Sequence, residues 1–219
     1  MLKDKAGFTL AEVLITLGII GVISAMTIPS LQQRIYERQT IARLRTTYSI
    51  LTQALKLSAE LDDNGYPEGW GITGRTKEDA TIVAEKLKPH LKIARDCGAV
   101  KPNPCIGTEY SRLNGQRYTP ADTRYYVTLF NGSTVSFSGG EVGNNIYMYF
   151  TIDTNGPAQP NTWGRDLFEF SYSPDTGLIP SGNPNLPSND YRTHCRDLLS
   201  SGFGCAYYVL TFNNMNYLH

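Results

Sequence analysis

Signatures of catalysis are missing from the 219 residues. There is no Gly-x-Ser-x-Gly, no His-Glu-x-x-His and no phosphate-binding Gly-x-x-x-x-Gly-Lys. The three histidines, His90, His194 and His219, are scattered, so none pairs with another at a metal-binding or acid–base spacing. The reading is therefore a non-enzyme. Charge is also scarce, at 18% of residues, against about 25% in an ordinary soluble domain. Lys plus Arg and Asp plus Glu are equal at 20 each, so the basic excess of a dedicated nucleic-acid binder is absent. Internal repeats are absent as well. Apolar material is not scarce: 41% hydrophobic and 11% aromatic residues exclude wholesale disorder. With 20 glycines and 12 prolines, the chain also has many turns.

One absence is local. From Val13 to Gln33 no residue carries a charge, and Val13 to Ile28 is nearly all apolar. About 20 such residues span a bilayer as a helix. A secretory signal peptide would end this run in a small-x-small site, for which Ser24-Ala25-Met26 is a poor candidate. A plain anchor would have no use for Glu12, which sits at the edge of the run. An ionisable residue there is a functional hypothesis by default, and its partner has to be named.

The N-terminus Gly7-Phe8-Thr9-Leu10-Ala11-Glu12, followed by the apolar helix, resembles that of type IV pilins and of the pseudopilins of type II secretion. The resemblance covers roughly residues 1 to 55. It implies a leader at residues 1–7, removed by a prepilin peptidase that cuts between Gly7 and Phe8 and methylates the new Phe8 amine. It also implies a fifth mature residue that is acidic, here Glu12, and helix-softening positions at Gly21 and Pro29. Glu12 lies one helical turn after Phe8, so both face one side of the helix. A carboxylate buried among apolar helices is tolerated only when paired. The Phe8 amine of a neighbouring copy is the natural cation, and the pairing would set the register of assembly. The implied partners are other copies or related pilins, the peptidase, and an inner-membrane platform with its ATPase.

Orientation is contested. Lys3 and Lys5 flank one end of the run, and Arg34, Arg38, Arg43 and Arg45 the other, which alone would hold the C-terminal part in the cytoplasm. The resemblance places that part outside, and the cysteines agree with it.

Residues 8–31 are expected to be the transmembrane or filament-core helix and 32–61 its amphipathic continuation. Ile41, Leu44, Tyr48, Leu51 and Leu55 step by three and four. Pro29 is accommodated as a kink in lipid or in a bundle. Asp62-Asp-Asn-Gly65 should end the helix. Residues 62–219 then form one domain. Thr76 with Glu78 and Asp79 starts a second helix that breaks near Pro89. From Arg117 the pattern turns to strands. Tyr125–Phe130 and Ser133–Phe137 read as a hairpin about a two-residue Asn131-Gly132 turn. Asn145–Asp153 and Leu167–Tyr172 read as strands, Asp190–Ser200 as a short helix, and Ala206–Phe212 as a last strand. The fold class is α+β: a long N-terminal helix packed on an antiparallel sheet.

Cys97, Cys105, Cys195 and Cys205 lack the C-x2-C spacing of zinc ribbons. Of three possible pairings, local closure favours Cys97–Cys105 and Cys195–Cys205. Free thiols, or zinc held with His194, are the competing readings. Disulfides imply an oxidising compartment outside the cytoplasmic membrane. The loop from Asp153 to Asp166 opens Asp-x-Asn-Gly like a calcium loop, but its twelfth position is Gly164 and not Glu. Some major pseudopilins hold calcium in a loop of this region, a part that Asp153, Asn155, Asn161 and Asp166 would play here. The competing reading is an Asx-turn joining two strands. The functional expectation is a filament subunit, stored in the bacterial inner membrane and assembled into a periplasmic or extracellular pilus or pseudopilus. A membrane-tethered extracytoplasmic binding protein or enzyme is the alternative.

Overall fold

The computed structural model describes residues 9–61, 67–100, 103–142, 145–185 and 190–219. The Gly7–Phe8 cleavage site and the helix stop at Asp62–Gly65 lie outside them. The chain divides into two compact units, Met1–Gln39 and Thr40–His219.

Helix α1 runs Leu10–Leu61 and passes through Gly21 and Pro29 without interruption. Between Val13 and Leu31 its side chains are apolar nearly all round, and no described residue before Thr40 is buried. Leu10 is 78% exposed, Met26 75% and Ile15 62%. A helix apolar on every side is stable only where its whole surround is apolar. It is long and apolar enough to cross a membrane.

In the second unit α1 becomes one-sided. Thr40, Ile41, Leu44, Thr47, Leu51, Ala54, Leu55 and Ser58 are buried, at the three-and-four spacing of one helical face. Tyr48 stacks on Phe170 with ring centroids 5.4 Å apart and donates its hydroxyl to the Leu178 carbonyl.

That face packs with a six-stranded antiparallel sheet, ordered β1-β4-β5-β6-β7-β8. The strands are β1 Ile93–Gly98, β4 Tyr125–Leu129, β5 Thr134–Val142, β6 Asn145–Asp153, β7 Leu167–Ser173 and β8 Gly177–Pro180. A separate pair, β2 Tyr110–Ser111 and β3 Arg117–Tyr118, lies in the loop between β1 and β4. The period of two puts Val127, Val135, Phe137, Met148, Phe150, Ile152, Phe168 and Phe170 in one core, each 1% exposed or less. Register follows from this alternation: Phe137 opposes Phe150, which opposes Phe170. A one-residue slip would turn the whole apolar set outward.

Helix α2, Lys77–Leu87, is capped by Thr76. The Thr76 hydroxyl accepts from Asp79 N, while the Asp79 carboxylate accepts from Thr76 N, Thr76 Oγ1 and Thr73 N. Burial pushes the Asp79 carboxyl up, but these bonds outweigh it and hold the group below the usual carboxylate range. Gly139 of β5 passes directly beneath: a Cβ there would lie 2.5 Å from the Gly74 carbonyl oxygen and 2.6 Å from Asp79 Cβ. A 3-10 turn at Lys88–His90 absorbs Pro89.

Three sequence readings need correction. Ala206–Phe212 is not a strand but the body of helix α4, Cys205–Phe212. Its aromatic and β-branched run favours β structure, and an unbroken apolar run has no period with which to choose. Packing decides instead, burying Cys205, Ala206 and Val209 on one helical face, and Asn213 ends the helix in the left-handed conformation. The turn closed by Leu129 and Ser133, between β4 and β5, has three residues. Leu129 N donates to Ser133 O and Gly132 N to Leu129 O, with Gly132 at φ +84°. A two-residue type I′ turn needs positive φ at both centres. Asn131 does not adopt it, because its side chain is engaged by Ser133 N and donates to Thr47 Oγ1. The short helix read at Asp190–Ser200 shrinks to α3, Tyr191–His194, followed by turns in which Ser200 Oγ accepts from Arg196 N and Asp197 N. Strands β1 and β8 were not read at all.

Disulfides join Cys97 to Cys105 and Cys195 to Cys205. The first fastens the loop after β1 beside Tyr126. The second ties α3 to α4 with both sulfurs inside the main core. With the four thiols paired, zinc binding through them is excluded, and the His194 ring faces Ser201 Oγ at 2.9 Å.

Candidate functional site

Two places hold the residues singled out from sequence. The first is the start of α1. Thr9 immediately precedes the first helical residue, and Glu12 sits in the first turn. The Glu12 carboxylate accepts from Thr9 N at 2.9 Å and from Thr9 Oγ1 at 2.8 Å. Thr9 Oγ1 in turn accepts from Glu12 N at 3.3 Å. This is a capping box, the reciprocal satisfaction of orphan N–H groups at a helix start. The helix dipole also favours a negative group there. Glu12 therefore has internal partners before any second copy arrives, and an incoming cation would compete with Thr9 for it. The reading from sequence missed Thr9, although Thr-x-x-Glu ahead of an apolar run is its signature.

The second place is the loop from Asp153 to Asp166, which joins β6 to β7. Asp166 is fully buried, and its two carboxylate oxygens accept from Asn161 N at 2.8 Å and Thr162 N at 2.6 Å. Asp153, 5% exposed, accepts from Asn155 N through Oδ1. Asn155 Nδ2 donates to the Gln159 carbonyl, and Asn161 turns the chain at φ +48°. The Asn161 side chain presses on Gly107, where a Cβ would lie 2.3 Å from Nδ2.

Asp153 Oδ2, Asn155 Oδ1 and Asn161 Oδ1 are buried with no hydrogen-bond donor among the described residues. Burial, with the Asp166 charge nearby, holds the Asp153 carboxyl well above the usual range. Burial pushes Asp166 up to about 6, against the backbone N–H groups that pull it down. Orphaned buried oxygens are expensive unless something satisfies them. Two carboxylates and two amide oxygens suit a hard, oxygen-liganded cation and not zinc. No group of three or more His, Cys, Asp or Glu side chains gathers among the described residues, so the amides would have to complete the set.

Residues 2–28 match the family described as the prokaryotic N-terminal methylation motif. The match takes in Gly7, Phe8, Thr9, Glu12 and Gly21, and it is consistent with type IV pilins and pseudopilins. It ends before Pro29 and leaves the second unit unmatched. No solved structure matches the chain.

Proposed function

We propose that the chain is a prepilin-type structural subunit of a type IV pilus or a type II secretion pseudopilus. The methylation motif at residues 2–28 carries this reading. An apolar helix with no buried residue over 10–31 supports it, since that surface requires lipid or neighbouring apolar helices. In this reading residues 1–7 are a leader, and cutting after Gly7 exposes the Phe8 amine for methylation. The precursor waits in the inner membrane with residues 62–219 outside. On assembly, Glu12 exchanges part of its Thr9 bonding for the Phe8 amine of a neighbour. A platform protein and ATPase on the membrane supply the work.

The loop from Asp153 to Asp166 adds a second element. We infer that calcium is held there, with Asp153, Asn155, Asn161 and Asp166 as the oxygen donors. Its chemistry would be structural, neutralising two buried carboxylates that otherwise repel each other.

Mass spectrometry of the mature N-terminus tests the main reading. A chain that begins at methylated Phe8 supports it, and Gly7→Val should leave the full-length precursor in the membrane. An intact Met1, or a start near residue 26, supports a tethered binding protein or enzyme instead.

A further inference from the structure

The sheet has a second face, opposite Phe137 and Phe150, that the filament reading does not use. It carries Tyr126, Ser136 and Thr151, and the segment holding β2 and β3 borders a cavity there. The cavity has a volume of about 290 Å³ and lies at the low end for small-ligand sites. It continues into a narrow inner slot of about 30 Å³, and the two share Tyr110, Tyr118, Tyr126 and Arg124.

We propose that this cavity binds a neutral sugar ring. Its lining includes Tyr110, Tyr118 and Tyr126, and an aromatic ring is the surface on which the C–H side of a pyranose packs. Its rim offers hydroxyls both kinds of partner, since Arg117 and Arg124 donate and Glu109 and Asp122 accept. Its charges cancel: Arg117 and Arg124 stand against Glu109 and Asp122. A charged ligand would meet attraction and repulsion together, whereas a neutral polyol loses nothing.

The site is also braced. Tyr118 is held edge-on by Trp163, with centroids 5.4 Å apart, and by Phe203 at 6.0 Å. The Tyr110 hydroxyl accepts from Gly107 N. Arg124 Nη1 donates to Ser136 Oγ at 2.9 Å and to the Thr151 hydroxyl, so the guanidinium is fixed beside the cavity. Burial pushes Tyr126 up to about 12, so that ring stays neutral at any working pH. Rings and fork fixed before binding lower the ordering cost for a ligand.

The test is saturation-transfer NMR on the full chain in a detergent without a sugar headgroup, which needs no filament assembly. Galactose, mannose and N-acetylglucosamine are the neutral probes, glucosamine and glucuronic acid the charged ones, and Ala-Gly-Gly the peptide control. At least one neutral sugar should show transfer and outcompete the charged ones. Tyr118→Ala should weaken it about tenfold, the loss of one well-packed aromatic contact, and Tyr118→Phe should retain it. Arg117→Ala, at an exposed position that does not threaten folding, should also weaken it. The assignment is overturned by no transfer at ~50 mM, where a millimolar Kd would saturate the site. It is equally overturned by preference for a charged sugar, by binding of the peptide alone, or by an unchanged Arg117→Ala.

Discussion

The two stretches of helix α1 share a backbone and differ in the surround they need. Between residues 10 and 31 apolar side chains point in every direction and none is buried. Between 40 and 61 the buried residues keep to one stripe, and Leu44, Leu51 and Ala54 are fully buried. Helix propensity does not distinguish the two stretches; the distribution of apolar residues around the axis does. The stripe is satisfied by one sheet. The all-round surface is satisfied only by lipid or by other helices, which is why a lone carboxylate on it has consequences. The same capping chemistry recurs in both settings. Thr9 with Glu12 closes a helix start on the exposed stretch, and Thr76 with Asp79 closes one over the sheet.

The largest expected effect breaks the comparison at Glu12. Glu12→Ala should be processed normally and enter the membrane at least as well, because a carboxylate has been removed from an apolar span. Filament assembly should nevertheless fall to a small fraction of wild type, since the neighbour's amine loses its partner. If apolar packing alone drove assembly, the variant would assemble equally well or better. Glu12→Gln keeps the shape and Thr9 bonding but not the charge. Wild-type filament yields from both variants, by electron microscopy of shed filaments, would remove charge pairing from the mechanism.

Next in size are the disulfides, which belong only to the second unit. A short closed loop contributes roughly 2–3 kcal/mol. Cys195 and Cys205 lie at 0% exposure in the main core, whereas Cys97 and Cys105 sit with Tyr126 in a small separate cluster. Replacing Cys195 and Cys205 with alanine should lower the urea midpoint of the full chain more than replacing Cys97 and Cys105. Equal shifts would mean that loop closure alone sets the effect. Helicity contributed by residues 10–39 should survive in both variants, read in the same detergent.

Those bridges join residues eight and ten apart, and such local features were legible from sequence. The Thr76 cap, the alternation in β6 and the stripe on α1 were legible for the same reason: each is a short-range pattern. The misses needed tertiary information. Helix α4 has β-favouring residues held helical by a bridge and a buried face. Strand β1, Ile-Ala-Arg-Asp-Cys-Gly, shows no alternation because its pairing with β4 shifts register twice. Strand β8 has four residues, too few to show a period. The inner slot on the outer sheet face was illegible, because Tyr118, Thr151 and Trp163 come from separate segments that only the fold brings together. At the loop from Asp153 to Asp166 sequence gave the residues but not their burial, and the orphaned oxygens are a fact of packing.

A third test sharpens the contrast within the second unit through pH. Asp166 titrates near 6 when folded against an ordinary 3.8. The folded state therefore holds a proton that the unfolded chain has released. Stability linked to this group is full below about pH 4 and is lost as pH rises through 6, by up to ~3 kcal/mol for a two-unit shift. Asp153, also raised, acts in the same direction. Asp79, lowered, acts in the opposite one: its contribution is present above its ordinary pKa and fades as pH falls. In chelator-treated buffer the thermal midpoint should therefore fall between pH 4.5 and 7, and Asp153→Asn should flatten that fall. Millimolar calcium should restore the midpoint at pH 7, by about 2.7 kcal/mol at 100 times its Kd, and should do nothing for Asp153→Asn. A wild-type midpoint indifferent to both pH and calcium would leave the loop an Asx-turn.

The smallest effect compares the two caps directly. Thr76→Ala removes the hydroxyl that accepts from Asp79 N and donates to its carboxylate, at a buried helix start. It should destabilise the second unit by about 1 kcal/mol, the usual loss for an N-cap Ser or Thr. Asp79 would also lose one of the bonds that hold its pKa down, so the part of the stability that is lost on acidification should become smaller. Thr9→Ala removes the corresponding hydroxyl on a stretch with no buried residue. It should leave the urea midpoint unchanged and act, if anywhere, on assembly, where Glu12 is freed from its internal competitor. The pair of variants therefore separates a cap that holds a fold from one that holds a charge ready. A midpoint loss from Thr9→Ala as large as that from Thr76→Ala would show that the first turn of α1 is part of the folded unit, and the contrast between the two stretches of the helix would fail.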